Sequence, residues 1–261
     1  MRTEVAIAKY GCHLERRAGH WVVRFHDNPH YWFGNCLIFD APPGAGDFER
    51  WMASFEREHG DSPSDHRVFR IDCGEGVAGE AGPFLRAGFE LQRMYVLSAR
   101  QVAPPPKVNR EVEIRPLRTD REWEAALAQA IDVGVHDSGH ADTEAYAVFK
   151  RARLTSFREM QRRGLGQVWG AFLGVRLVAQ LGLFHVGELS RFQQVATDRA
   201  YRRRGICGTL VYRVSERALA DMPGRRLVMC AMEDYHATQI YQSLGFRIAE
   251  RVVDYKRPAP S

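Results

Sequence analysis

Residues 101–110, which read QVAPPPKVNR, constrain the architecture of this chain more than any other stretch. Three consecutive prolines fix φ and remove backbone donors, so the segment reads as an extended, semi-rigid connector rather than a strand or helix interior. It divides the 261 residues into a first part, 1–100, a Pro-rich linker, 101–110, and a second part, 111–261. Each part is long enough to bury a core of its own. The two parts also share a pattern: Pro83-Phe84-Leu85-Arg86-Ala87-Gly88-Phe89-Glu90 parallels Ile240-Tyr241-Gln242-Ser243-Leu244-Gly245-Phe246-Arg247, and each precedes a strand-like run. The parallel predicts two copies of one fold.

In the first part, residues 21–26 read as a strand, followed by a turn at Asp27-Asn28-Pro29 and an aromatic run to Asp40. Phe48, Trp51, Met52 and Phe55 recur at helical spacing, which predicts a helix over 47–59 stopped by Gly60, and 66–71 reads as a strand. The second part begins with a strand at 112–117 and a helix capped by Asp120. A basic helix over 143–163 follows, then strands near 167–173, 176–185 and 189–197 joined as hairpins. A helix over 205–220, a strand at 227–232, a helix at 235–243 and a strand from 246 to 255 complete the order β-α-α-β-β-β-α-β-α-β. The fold class is therefore α/β, built on a mixed sheet.

Composition narrows the function classes. Hydrophobic residues make up 45% and charged residues 26%, the balance of a globular protein. Charges at Arg2, Glu4, Lys9, Glu15, Arg16 and Arg17 interrupt any secretory leader, and no run is long and apolar enough to span a bilayer. Five cysteines without C-x-x-C spacing suit reduced thiols, so a cytoplasmic location without membrane attachment is expected. The net charge of +5 suits an anionic partner, whether nucleic acid, a membrane surface or a phosphate-bearing cofactor, and composition does not choose among them. Nothing in the sequence matches a nucleic-acid-binding motif, and no basic helix carries interleaved aromatics.

The chemistry concentrates at Arg202-Arg203-Arg204-Gly205-Ile206-Cys207-Gly208, between a strand and a helix. Backbone N–H groups at the first turn of a helix lack intrahelical partners, so they can receive a pyrophosphate. Gly205 and Gly208 allow close approach, and the arginines add attraction. The same residues also describe a solvated helix entrance shaped by its glycines.

This segment resembles the signature Gln/Arg-x-x-Gly-x-Gly/Ala of the GNAT superfamily of N-acetyltransferases, with Arg202 and Gly205 in the first two positions and Cys207 in the Gly/Ala position. Downstream, Ala237 to Phe246 is similar to the family's A-x-x-x-Y-x-x-x-G-F segment. The resemblance implies the acyl-CoA N-acyltransferase fold in the C-terminal half, with a smaller, degenerate GNAT-like α/β lobe before it. It further implies transfer of an acetyl group from acetyl-CoA to a primary amine of an acceptor by direct attack, with acetyl-CoA as co-substrate and no metal. Cofactor contacts are implied for Val195 and Thr197 on the fourth strand of the domain, where two parallel strands splay apart, and for Arg202, Arg203, Arg204, Gly205, Ile206, Cys207, Gly208 and Thr209.

By the same resemblance Tyr241 protonates the departing thiolate, a role a phenol can fill; on the bare sequence it also reads as a core aromatic. Glu233 is the candidate general base, with Asp234, His236 and Glu188 as neighbouring alternatives, and Asp234 placed to cap the helix that carries Tyr241. Residues 137–143 fall where the resemblance implies the acceptor binds, and Asp137-Ser138-Gly139 reads as loop. His136 and His140, and His26 and His30, have i, i+4 spacing but no evident third ligand, so no metal is expected. In the first part no such glycine turn occurs and Phe84 stands where Tyr241 stands, so no acetyl-CoA is expected there; Tyr31-Trp32-Phe33-Gly34-Asn35 reads as core or interdomain packing, with a substrate-facing role as the alternative. The rival to an enzyme is an acyl-CoA-binding sensor that has lost acceptor chemistry. Acceptor identity and oligomeric state, monomer or homodimer, stay open.

Overall fold

The computed structural model describes residues 7, 12–62, 64–138 and 143–258. They form two compact units, Met1–Val96 with Ala249–Ser261, and Leu97–Ile248. The expected linker, 101–110, lies inside the second unit, and the last eleven-residue strand, although read as closing the second part, passes into the first unit. The second departure has a direct cause. That strand finds its hydrogen-bonding partner not in the half that precedes it but in a strand formed some 180 residues earlier, as the register Val253↔Ile71 and Tyr255↔Phe69 shows.

The first unit contains β1 (His13–Arg17), β2 (His20–Arg24), β3 (Cys36–Phe39), α1 (Asp47–His59), β4 (Arg67–Ile71), α2 (Ala81–Arg86), the start of β5 (Glu90–Ala99) and most of β11 (Arg247–Arg257). Its sheet runs β1-β2-β3-β4-β11-β5, with β1–β2, β2–β3 and β4–β11 antiparallel and β3–β4 parallel. The apolar stripe of α1 delivers Trp51 and Phe55 into a core with Phe39, Phe69, Phe84 and Tyr255. Trp51 stacks on Phe39 at 3.6 Å between ring centroids, and Phe84 stacks on Tyr255 at 4.4 Å. Tyr255 is fully buried, and its hydroxyl donates to Ala78 O at 2.6 Å. The aromatic run lies in the same packing: Trp32 stacks on His66 and Phe33 lies beneath the Arg70 guanidinium.

The second unit contains β6 (Glu113–Pro116), α3 (Asp120–Ser138), α4 (Thr143–Arg162), β7 (Gly166–Leu173), β8 (Arg176–Val186), β9 (Leu189–Thr197), α5 (Ile206–Asp221), β10 (Arg226–Met232) and α6 (Ala237–Ser243). The order is the one the periodicity predicts. The strands lie β6-β7-β8-β9-β10, antiparallel except for β9–β10. Leu177 to Phe184 on β8 are all buried, as they must be in a strand covered on both faces. The helices α3 and α4 pack together and against β7–β9, and α5 packs against β7, β8 and β9.

Two local assignments change. The cap of α3 is Thr119 rather than Asp120: the Thr119 hydroxyl accepts from Glu122 N at 3.3 Å while the Glu122 carboxylate accepts from Thr119 N at 3.1 Å. This is a reciprocal capping box, which the Thr-x-x-Glu spacing permits and Asp120 cannot make. Asp234 does not cap α6; the helix begins after His236 with no side-chain cap. In addition, α3 continues through Ser138, so His136 and Asp137 are helical rather than loop.

Candidate active site

The site begins with an irregularity in β9. The two-residue step from Gln180 to Gly182 on β8 is opposed by the three-residue step from Gln193 to Ala196 on β9, and Gln194 has φ 50°. An extra residue of this kind bends the strand and increases its twist. On the other side, the parallel pairing of β9 with β10 runs only from Leu189↔Arg226 to Arg191↔Val228. Beyond it, Val195, Ala196 and Thr197 line a cavity of about 630 Å³. That volume is in the range of small-molecule sites.

The turn after β9 sets the floor at one end. Asp198 accepts from Ala200 N at 2.9 Å and holds a short 3-10 turn, Arg199–Tyr201. Arg203 at φ 62° and Gly205 at φ 76° then swing the chain into α5. A side chain at Gly205 would be strained by that φ, and its Cβ would meet Lys107 O at 2.4 Å, so glycine is required on two counts. The first intrahelical bond of α5 is Thr209 N to Gly205 O at 3.0 Å. The N–H groups of Ile206, Cys207 and Gly208 precede it, at the positive end of the helix dipole.

Nine of the residues singled out in the sequence line this cavity: Val195, Thr197, Arg202, Arg203, Gly205, Ile206, Cys207, Gly208 and Tyr241. Three do not. The Arg204 guanidinium lies over the Tyr201 ring at 5.1 Å. The Thr209 hydroxyl donates to Gly205 O at 2.8 Å and accepts from Asn109 N at 2.8 Å, so it braces the turn and is buried. Glu233 sits in the turn between β10 and α6, outside the lining, whereas Tyr235 and His236 from the same turn are within it. Glu188 lies in the β8–β9 turn, where its carbonyl accepts from Arg226 N. His136 folds back on its own helix, Nδ1 2.8 Å from Asp132 O, and His140 lies outside the described residues.

The electrostatics of the lining are specific. Arg202 makes a two-pronged ion pair with Asp137 at 3.0 and 2.8 Å, and its Nε donates to Thr197 O at 3.3 Å. Asp137 on α3 therefore neutralises the first arginine of the turn. Burial pushes the Cys207 thiol up to about 11, against a smaller opposing effect of its hydrogen bond with the Thr197 side chain. Burial also raises Tyr241 well above the ordinary phenol value, reinforced by Cys207 and Tyr235. Tyr241 is a neutral phenol at physiological pH, and among the described residues its hydroxyl has no hydrogen-bond partner.

Sequence reasoning missed the contribution of the connector. Pro105, Pro106 and Lys107 line the cavity. Lys107 Nζ donates to Arg203 O at 2.8 Å, Asn109 Nδ2 donates to Arg204 O at 3.0 Å, and Pro105 packs 3.2 Å from where a Gly208 Cβ would stand. No local pattern announces a contact that joins residues about a hundred positions apart.

Residues 137–255 match the family model described as an acetyltransferase (GNAT) domain. No curated protein matches the sequence. Among solved structures, a functionally unknown conserved protein from Staphylococcus epidermidis is similar with TM-score 0.71 at 11% identity, covering 94% of this chain and 93% of that one. A GCN5-related N-acetyltransferase from Kribbella flavida is similar with TM-score 0.66 at 13% identity, covering 99% and 94%. A tandem GNAT protein from the clavulanic acid biosynthesis pathway is similar with TM-score 0.55 at 15% identity, covering 96% and 85%. At these identities the structural likenesses speak for the fold, and they extend over nearly the whole chain. No helix among the described residues is long and apolar enough to cross a membrane.

Proposed function

We propose, from the match of residues 137–255 to the model of an acetyltransferase (GNAT) domain, that the cavity of this chain takes acetyl-CoA and that the chain transfers the acetyl group to an amine of an acceptor. The observation that carries the reading is Tyr241: a buried phenol with no hydrogen-bond partner among the described residues, in the lining of the same cavity as the glycine turn and the end of β9. The lining suits such a molecule. Helix N–H groups and cations gather at the turn, while Val195, Ile206, Ala237 and Ile240 offer apolar walls for a pantetheine arm.

In this reading the backbone of Val195 and Ala196 aligns the arm, with the Thr197 carbonyl already engaged by Arg202. Holding the thioester beside the acceptor supplies much of the catalysis, because a positioned amine needs little further activation. The acceptor must lose a proton. His236 is in the lining and Glu233 is not, so His236 is the nearer residue to receive that proton and Glu233 would act through an intervening water. Tyr241 then gives its proton to the departing sulfur. The first unit, with Phe84 sealed in its core, takes no part in this chemistry.

The test is release of free thiol from acetyl-CoA over a panel of primary amines, comparing wild type with Tyr241→Phe. The substitution is expected to lower kcat by about a hundredfold or more while leaving acetyl-CoA binding unchanged. Binding without thiol release from any amine would reduce the chain to an acyl-CoA sensor.

A further inference from the structure

The arginines of the glycine turn do not account for the positive charge the turn needs. Arg202 is neutralised by Asp137, and Arg204 lies over the ring of Tyr201 and is not itself in the lining. Of the three, Arg203 alone lines the cavity without a carboxylate partner among the described residues. A pyrophosphate with a ribose phosphate carries several negative charges, more than one guanidinium and a helix terminus balance. The missing cation comes from the connector. Lys107 lines the same cavity, has no carboxylate partner among the described residues, and is aimed at the turn by the 2.8 Å bond from its Nζ to Arg203 O. Its backbone is fixed as well, since its carbonyl fills the space that the missing Gly205 side chain leaves free. An ammonium offers three donors, and the Arg203 carbonyl uses one.

We propose that Lys107 is a phosphate-binding residue of the acyl-CoA site, so that the segment joining the two halves of the sequence forms one wall of that site. The inference rests on the cofactor assignment made above. Docked on Arg203 O, the ammonium is held at the turn that leads into the first N–H groups of α5, and Lys107, Ile206, Cys207 and Gly208 line one cavity, where a single anion would meet both charge and donors. The ring of Pro105 against Gly208 and the backbone N–H of Asn109 on the Thr209 hydroxyl hold the connector in place.

The experiment is calorimetric titration with CoA and with dephospho-CoA, at low and at high salt, of the wild-type chain, Lys107→Gln and Lys107→Arg. Glutamine keeps a donor for Arg203 O and removes only the charge; arginine keeps both. Loss of a charge-assisted contact is expected to weaken CoA binding by about tenfold or more in Lys107→Gln. The difference should shrink at high salt, and Lys107→Arg should bind like wild type. An effect on CoA alone assigns the contact to the ribose phosphate, and an equal effect on dephospho-CoA assigns it to the pyrophosphate. Wild-type affinity in Lys107→Gln overturns the inference and leaves the cofactor assignment intact, as does an equal, salt-independent loss in both variants, which marks a purely structural role. A folded wild-type chain that binds neither nucleotide overturns both.

Discussion

At the scale of single residues the site is a set of ordinary groups placed under unusual constraints. Burial keeps Tyr241 protonated well past its ordinary value of 10.0, which suits a proton donor. The kcat profile is therefore expected to show no alkaline fall below pH 10 arising from loss of this proton; a fall with an apparent pKa near 8 that disappears in Tyr241→Phe would contradict the assignment. Cys207, held up to about 11, is expected to react with iodoacetamide far more slowly than a free cysteine at pH 7.5, and more slowly still with acetyl-CoA bound. Rapid alkylation measured by peptide mass would contradict it. The contiguous part of this site, Arg202 to Gly208, was legible in the sequence because a turn between strand and helix carries its chemistry in consecutive residues. What could not be read was the set of contacts around those residues: that Asp137 takes the charge of Arg202, that the Thr209 hydroxyl bonds Gly205 O, and that Lys107 reaches the turn from the connector. Each depends on a contact set by the fold.

At the scale of elements, periodicity located most helices and strands because each presents one apolar face, as Trp51 and Phe55 do on α1. It did not reveal the extra residue in β9, since Gln193-Gln194-Val195 breaks no hydrophobic pattern that would mark a bulge. Yet that bulge and the short β9–β10 register together open the space beside Val195. Helix starts were legible only where the cap chemistry was weighed fully. Thr119 and Glu122 form the box at α3, and Thr119→Ala is expected to cost about 1 kcal/mol in chemical denaturation, whereas Asp120→Ala should cost markedly less. Equal costs would show that the box does not hold the helix end.

At the scale of the whole molecule, the chain passes between its two compact units twice, at Val96–Leu97 and at Ile248–Ala249. The sequence could not reveal this, because a strand's own pattern says that one of its faces is buried but not against what. Val253 and Tyr255 read as the end of a catalytic domain and lie instead in the aromatic core of the first unit. A fragment 111–261 would leave these side chains without their core and is expected to be aggregated or proteolytically labile, while the full chain is not; limited proteolysis decides it. The first unit also carries a titration. Burial lowers His59 and His66 from 6.5 to about 4, aided at His59 by the Arg24 charge. Both must stay neutral in the fold, so their contribution is intact above about pH 6.5 and is lost as pH falls toward 4, by up to about 1.4 kcal/mol per pH unit for each. Denaturation midpoints should fall across that window, less steeply in His66→Gln.

The most direct test of the central claim is isothermal titration of the folded chain with acetyl-CoA, beside Gly205→Glu, which places bulk and negative charge where the turn has φ 76° and Lys107 O at 2.4 Å. Saturable binding of one acetyl-CoA per chain by wild type, abolished in a variant that still melts cooperatively, is the predicted result. A folded wild type that takes up no heat of binding, or a Gly205→Glu variant that binds as well as wild type, would contradict the assignment of this cavity.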